Sequence, residues 1–160
     1  MNGWTDFLLA ESGSSAALTG LLFVGVSINL GKIISIPRLP GRALQALLLF
    51  FTILIVSSLA LVPGQPRAWI GSEVLIVGLI VWCTFIVLDI RFWQRTEKQY
   101  RRGVFLLVGM NQLSLLPYIV AGAMILFRGF GGLYWLVPGF LVSFTKGMLD
   151  AWVLLIEINR

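Results

Sequence analysis

Lys146 and Asp150 stand four residues apart near the middle of a long apolar stretch, so a helix carries them on one face. Charges at that depth of a membrane span are costly enough to need a partner or a wet cavity. Two chemistries follow. The pair neutralises itself as an i,i+4 ion pair that fixes packing, or it lines a path for an ion. Ser143, Lys146, Gly147, Asp150 and Glu157 form one stripe, longer than a single pair requires. Asn29 in the first apolar stretch, and Asn111 and Gln112 in the fourth, offer amides that bond between helices or join a polar cluster with Lys146 and Asp150. Asn111, Ser114 and Tyr118 share helical spacing. Glu73 is expected to snorkel or to pair with Arg67 or Arg128, and Asp89, beside Arg91, reads as an interfacial anchor.

Catalytic chemistry is poorly supplied. Ser143-Phe144-Thr145-Lys146 matches the S-x-x-K pairing of penicillin-binding enzymes, but the S-D-N and K-T-G companions are absent. Asp150 also favours the charged lysine over the neutral base that such chemistry needs. There is no H-E-x-x-H, no G-x-S-x-G and no P-loop lysine. The chain holds no histidine and one cysteine, Cys83, which leaves metal sites of imidazole or clustered thiolate without ligands and an intrachain disulfide without a second thiol. The expectation is a non-enzymatic protein with no cofactor and no metal.

These residues are positioned by elements that the composition identifies. Of 160 residues, 58% are hydrophobic and 12% charged, and the mean hydropathy is +0.93. Soluble domains carry about twice that charge, so lipid is the expected surroundings. A span takes about 20 apolar residues, and five are expected: 12–31, 43–62, 69–89, 103–127 and 133–158. No alternation suggests a barrel strand. The expected fold is therefore an all-α, polytopic transmembrane helical bundle forming a single domain over 1–160; four spans with one re-entrant segment is the alternative. Ile36 to Arg42 reads as a tight helical hairpin, Pro63-Gly64-Gln65-Pro66 closes the second span, and Arg128 to Gly132 is a glycine turn. Pro117 and Pro138 stand inside the fourth and fifth spans, where proline frees carbonyls and kinks the axis. Trp4, Phe7, Leu8 and Glu11 have the spacing of a short amphipathic surface helix.

The net charge of +5 sits in flanking loops, which points to topology and not to nucleic acid. Lys32, Arg38, Arg42, Arg91, Arg95, Lys98, Arg101, Arg102 and Arg160 fall on one side; Arg67 and Arg128 fall on the other. The positive-inside rule then places the N-terminus outside and the C-terminus in the cytoplasm. With neither a basic n-region nor an A-x-A site, the N-terminus reads as an uncleaved first span. That span carries a seam of small residues at Gly13, Ala17, Gly20, Val24, Ser27 and Gly31, spaced four, three, four, three and four. Such a seam lets helix backbones approach closely. It is ordinary packing within one protomer or a face for self-association or pore lining.

Gly13 to Leu30 (GSSAALTGLLFVGVSINL), Val62 to Pro66 (VPGQP) and Asp150 to Arg160 (DAWVLLIEINR) resemble a group of small bacterial multi-span membrane proteins often labelled as modulators of the membrane protease FtsH. The resemblance covers essentially the whole chain. It implies a bacterial plasma membrane location and a membrane-protein partner, and it brings no catalytic motif. Ser15-Ala16-Ala17-Leu18-Thr19-Gly20 is more loosely similar to the pore helix of Orai-type calcium channels, which carries an acidic filter where this chain offers Asn29 and no acid. The leading expectation is a homo-oligomeric ion channel or small-ion transport protein. Lys146, Asp150 and Asn29 would line its path, with Asn111, Glu157 and Ser143 contributing. The alternative is a non-conducting regulatory or assembly factor that binds another membrane protein through the first span and the basic 91–102 connection.

Overall fold

A computed structural model describes the backbone of residues 2–94 and 101–158, and the side chains of all these except 2, 101 and 102. Among them lie six α-helices and no strand: α1 (Asn2–Ile28), α2 (Leu30–Ser35), α3 (Leu39–Ala60), α4 (Arg67–Gln94), α5 (Arg101–Arg128) and α6 (Leu136–Ile158). A 3-10 helix, Phe130–Trp135, leads into α6. Five helical stretches are long and apolar enough to cross a membrane, with mean hydropathy between 1.5 and 2.4. Large apolar side chains point outward along them, among them Leu21, Phe23, Leu106 and Phe127, the last 78% exposed. Water would penalise such a surface and lipid does not. The chain is a multi-pass integral membrane protein with an all-α fold.

The chain divides into two compact units. In the first, α3 is central: Ala43, Ala46, Leu49, Phe50, Ile53, Val56 and Ala60 are all buried. α1 packs against α3 through a stripe that includes Leu8 and Ser15, its buried residues, and continues through half-buried Leu22 and Val26. Ser12 Oγ lies 3.4 Å from Ser58 Oγ, so the two helices run antiparallel. At the other end, Ile33, Leu39, Ala43 and Leu154 form an apolar cluster that takes in Ile36 and Ile158. Lys32 Nζ donates to the Ile158 carbonyl oxygen at 3.2 Å, placing a cation where the dipole of α6 ends negative.

Three details depart from the expected boundaries. Trp4, Phe7 and Leu8 belong to no separate surface helix, because α1 runs unbroken from Asn2, with Trp4 edge-on to Phe7 at 5.8 Å. A helix of 27 residues is about 40 Å long, more than the roughly 30 Å hydrocarbon core. The break comes instead at Asn29 (φ −104°, ψ 15°), whose side-chain amide donates to the Gly25 carbonyl oxygen at 3.0 Å. An asparagine that bonds locally competes with the helical ladder. The turn at Ile36–Arg38 is shorter than the expected hairpin, since Pro40 sits in the first turn of α3, where its missing N–H costs nothing. Arg38 takes the left-handed conformation there, at φ 82°.

The second unit is built on the antiparallel hairpin of α4 and α5. Its helices approach closely because glycines face backbone: a Cβ on Gly122 would lie 2.5 Å from the Leu75 nitrogen, and one on Gly71 2.7 Å from the Leu126 nitrogen. Ile70, Gly71, Val74, Gly78, Phe85 and Asp89 are the buried residues of α4. Facing them, Asn111, Ser114, Tyr118, Ala121 and Ile125 are buried on α5. α5 continues through Pro117, which is buried. Gly139 of α6 lies against it, where a Cβ would stand 3.3 Å from the proline Cβ. Pro138, inside the candidate span Phe130–Ile158 as expected, is the third residue of α6 and so falls in its first turn, which tolerates proline.

Candidate functional site

Lys146 and Asp150 lie in the part of α6 that belongs to the first unit. Both are buried, at 1% and 3% exposure, and the Lys146 ammonium donates directly to Asp150 Oδ2. Helix geometry alone brings the two groups together, since residues four apart stack on one face. The same face holds buried Ser143, Gly147 and Leu154. Gly147 is required by its neighbour, since a Cβ there would come within 2.7 Å of the Phe50 ring. Phe50 also contacts Phe144 at 6.0 Å between ring centres, so an aromatic wall from α3 shields the pair from one side. Gln45, on α3 between Ala43 and Phe50, is a further buried polar residue of this unit.

The expected path residues are not gathered into one cluster within either unit. Ser143, Lys146 and Asp150 share a buried face. Glu157 lies two turns beyond Asp150 on α6 and is half-buried. Asn29 spends its amide on its own helix at Gly25. Asn111 belongs to the second unit. There it is 1% exposed, and its Nδ2 donates to Asp89 Oδ1 at 2.8 Å. Asp89, expected as an interfacial anchor, is 8% exposed and bonded across the α4–α5 interface. Gln112 has the interhelical role expected of it, accepting from Trp82 Nε1 at 2.6 Å.

Sequence reasoning missed the bond between Asp89 and Asn111, because Arg91 drew attention to Asp89 as an anchor alone. The available signal was register: Asp89 lies four residues after Phe85 and eleven after Gly78, on the helix face that α5 covers.

The small-residue seam of α1 is placed plainly. Gly13, Ala17, Gly20, Val24 and Ser27 of α1 are all exposed, and so is Gly31, which lies beyond the Asn29 break in α2. Cβ atoms built on Gly13, Gly20 and Gly31 would meet nothing within 4 Å. Packing among the described residues does not use this seam; it uses the stripe through Leu8, Ser15 and Leu22, offset by two positions and so turned about half a circle away.

Of the basic connection, Arg95, Lys98 and Tyr100 lie outside the described residues, as do Arg160 and the side chains of Arg101 and Arg102. Among the described residues no group of three or more histidine, cysteine, aspartate or glutamate side chains is arranged to hold a metal ion. No family model, curated protein or solved structure matches this chain.

Proposed function

We propose that this membrane protein moves a small ion, as a non-enzymatic homo-oligomer in a bacterial plasma membrane with its C-terminus in the cytoplasm. The observation that carries this reading is the buried Lys146–Asp150 pair within a candidate span, on a face shared with Ser143. In this closed arrangement each charge satisfies the other, and conduction requires that a passing ion or proton exchange with one of them. Ser143 and Glu157 extend the polar stripe along α6. The exposed seam of α1 is the face through which copies meet, since small residues allow the close approach that drives helix association in lipid.

The test is ion flux in proteoliposomes for the wild type, Asp150→Asn, and the double variant Lys146→Met with Asp150→Leu. The double variant removes both charges at once and so leaves none buried alone. The wild type is expected to carry at least one of proton, sodium, potassium or chloride, and both variants are expected to lose that flux. A folded wild type that carries none of these ions overturns the proposal.

One observation favours a second reading. The same exposed face of α1 would accept a helix of a different membrane protein, such as a membrane protease, and make this chain a regulator. Reproducible recovery of one partner from native membranes, lost in Gly20→Leu, supports that reading; an empty recovery contradicts it.

A further inference from the structure

We propose that Asp89 is a proton-exchange site and that Asn111 is its positioning residue, matched to both protonation states. Asp89 is more than nine-tenths buried between α4 and α5, and its Oδ1 accepts from Asn111 Nδ2 at 2.8 Å. Asn111 is 1% exposed, and its Oδ1 has no hydrogen-bond partner among the described residues. An asparagine amide has a donor end and an acceptor end of nearly equal size, exchanged by a half-turn about its last side-chain torsion. The carboxylate form of Asp89 is met by the Nδ2 donor, as described here. When a proton from water binds a carboxylate oxygen, the resulting O–H becomes a donor, and the turned amide presents Oδ1 to accept it. No bond besides the new O–H forms, and the proton is returned to water by the reverse step. A lysine or arginine in place of Asn111 has donors only and serves just one of these states.

The surroundings suit exchange. Asp89 lines a pocket of about 220 Å3 with Ile86, Ile90, Trp93, Val108 and Gln112, five residues before α4 ends at Gln94. Gln112 accepts from Trp82, and Asn111 donates to Asp89. Among the described residues of this unit, the titratable or charged groups near the pair are few. On α4 itself, Arg91 and Cys83 are exposed. On α5, Tyr118 is buried two turns beyond Asn111, and Arg101 and Arg102 precede Asn111 by about 14 Å along the axis. Arg67, Glu73 and Arg128 belong to the opposite end of the hairpin, as does Tyr134 of the 3-10 helix.

The inference stands apart from the transport reading, because it is tested by titration and not by flux. The full-length protein is placed in phosphatidylcholine nanodiscs with carbon-13 at the aspartate side-chain carboxyls and nitrogen-15 at the asparagine amides. The chain has three aspartates, Asp6, Asp89 and Asp150, so three carboxyl signals are expected and Asp89→Asn assigns one. In the wild type the Asp89 signal is expected to titrate within roughly pH 4 to 10, and the Asn111 amide to move with the same midpoint. Asn111→Leu is expected to displace the Asp89 midpoint by about one pH unit or more, a tenfold change in proton affinity. An Asp89 signal that stays flat across that range in the folded wild type overturns the inference, and so does an Asn111 amide that ignores the Asp89 transition. Once the signal is assigned, the wild-type titration separates these outcomes, whatever Asn111→Leu does to folding. A flat Asp89 in a protein that still carries ions removes this site and leaves the transport reading; a titrating Asp89 in a protein that carries none does the reverse.

Discussion

At Lys146 and Asp150 the energetics are asymmetric. Two buried charges that satisfy each other add little to stability, whereas one left alone is strongly unfavourable. Lys146→Met or Asp150→Leu alone is therefore expected to destabilise the protein by about 3–5 kcal/mol, and the double variant to recover most of that loss. Reversible denaturation in mixed micelles measures all three; single variants as stable as the wild type would contradict the buried placement. The neutral bond from Trp82 to Gln112 is a smaller matter. Gln112→Leu is expected to cost about 0.6 kcal/mol, the average for such bonds in lipid, in the same assay. The Lys146–Asp150 pair was legible in the sequence because helix geometry fixes i,i+4 neighbours. The Asp89–Asn111 pair spans 22 residues and depends on how two helices meet, which no local spacing reveals.

Between elements, glycine decides which helices come close. Gly71 and Gly122 lie where any side chain would strike the backbone of the opposing helix, while the glycines of α1 have open space around them. Gly122→Ala is expected to separate α4 from α5 at a cost of about 1–3 kcal/mol, the usual range for overpacking. Gly13→Ala and Gly20→Ala are expected to leave the stability of the monomer undiminished. Thermal unfolding in detergent distinguishes the two classes, and equal losses at both would contradict the assigned packing faces. The five spans could be read from composition, because a hydrocarbon core admits little else. The working seam could not. The most regular small-residue pattern is in α1, yet the glycines that bring two spans backbone to backbone are Gly71 of α4 and Gly122 of α5, where bulky neighbours obscure the spacing. The break at Asn29 was equally hidden, since an asparagine in a span bonds its own backbone as readily as a neighbouring helix.

For the whole molecule, an apolar outward surface, a buried ion pair and an exposed small-residue face on α1 together lead to the proposed assembly. Replacing Gly13 and Gly20 together by leucine is expected to convert the oligomer in lipid to monomers without unfolding them, as counted by single-molecule photobleaching. Unchanged stoichiometry would remove α1 from the contact. The central claim concerns the charges within the membrane, and ion flux in proteoliposomes tests it most directly. The predicted result is a flux in the wild type that both Asp150→Asn and the charge-free double variant abolish while remaining folded. A wild-type flux that persists undiminished in the folded double variant would contradict it.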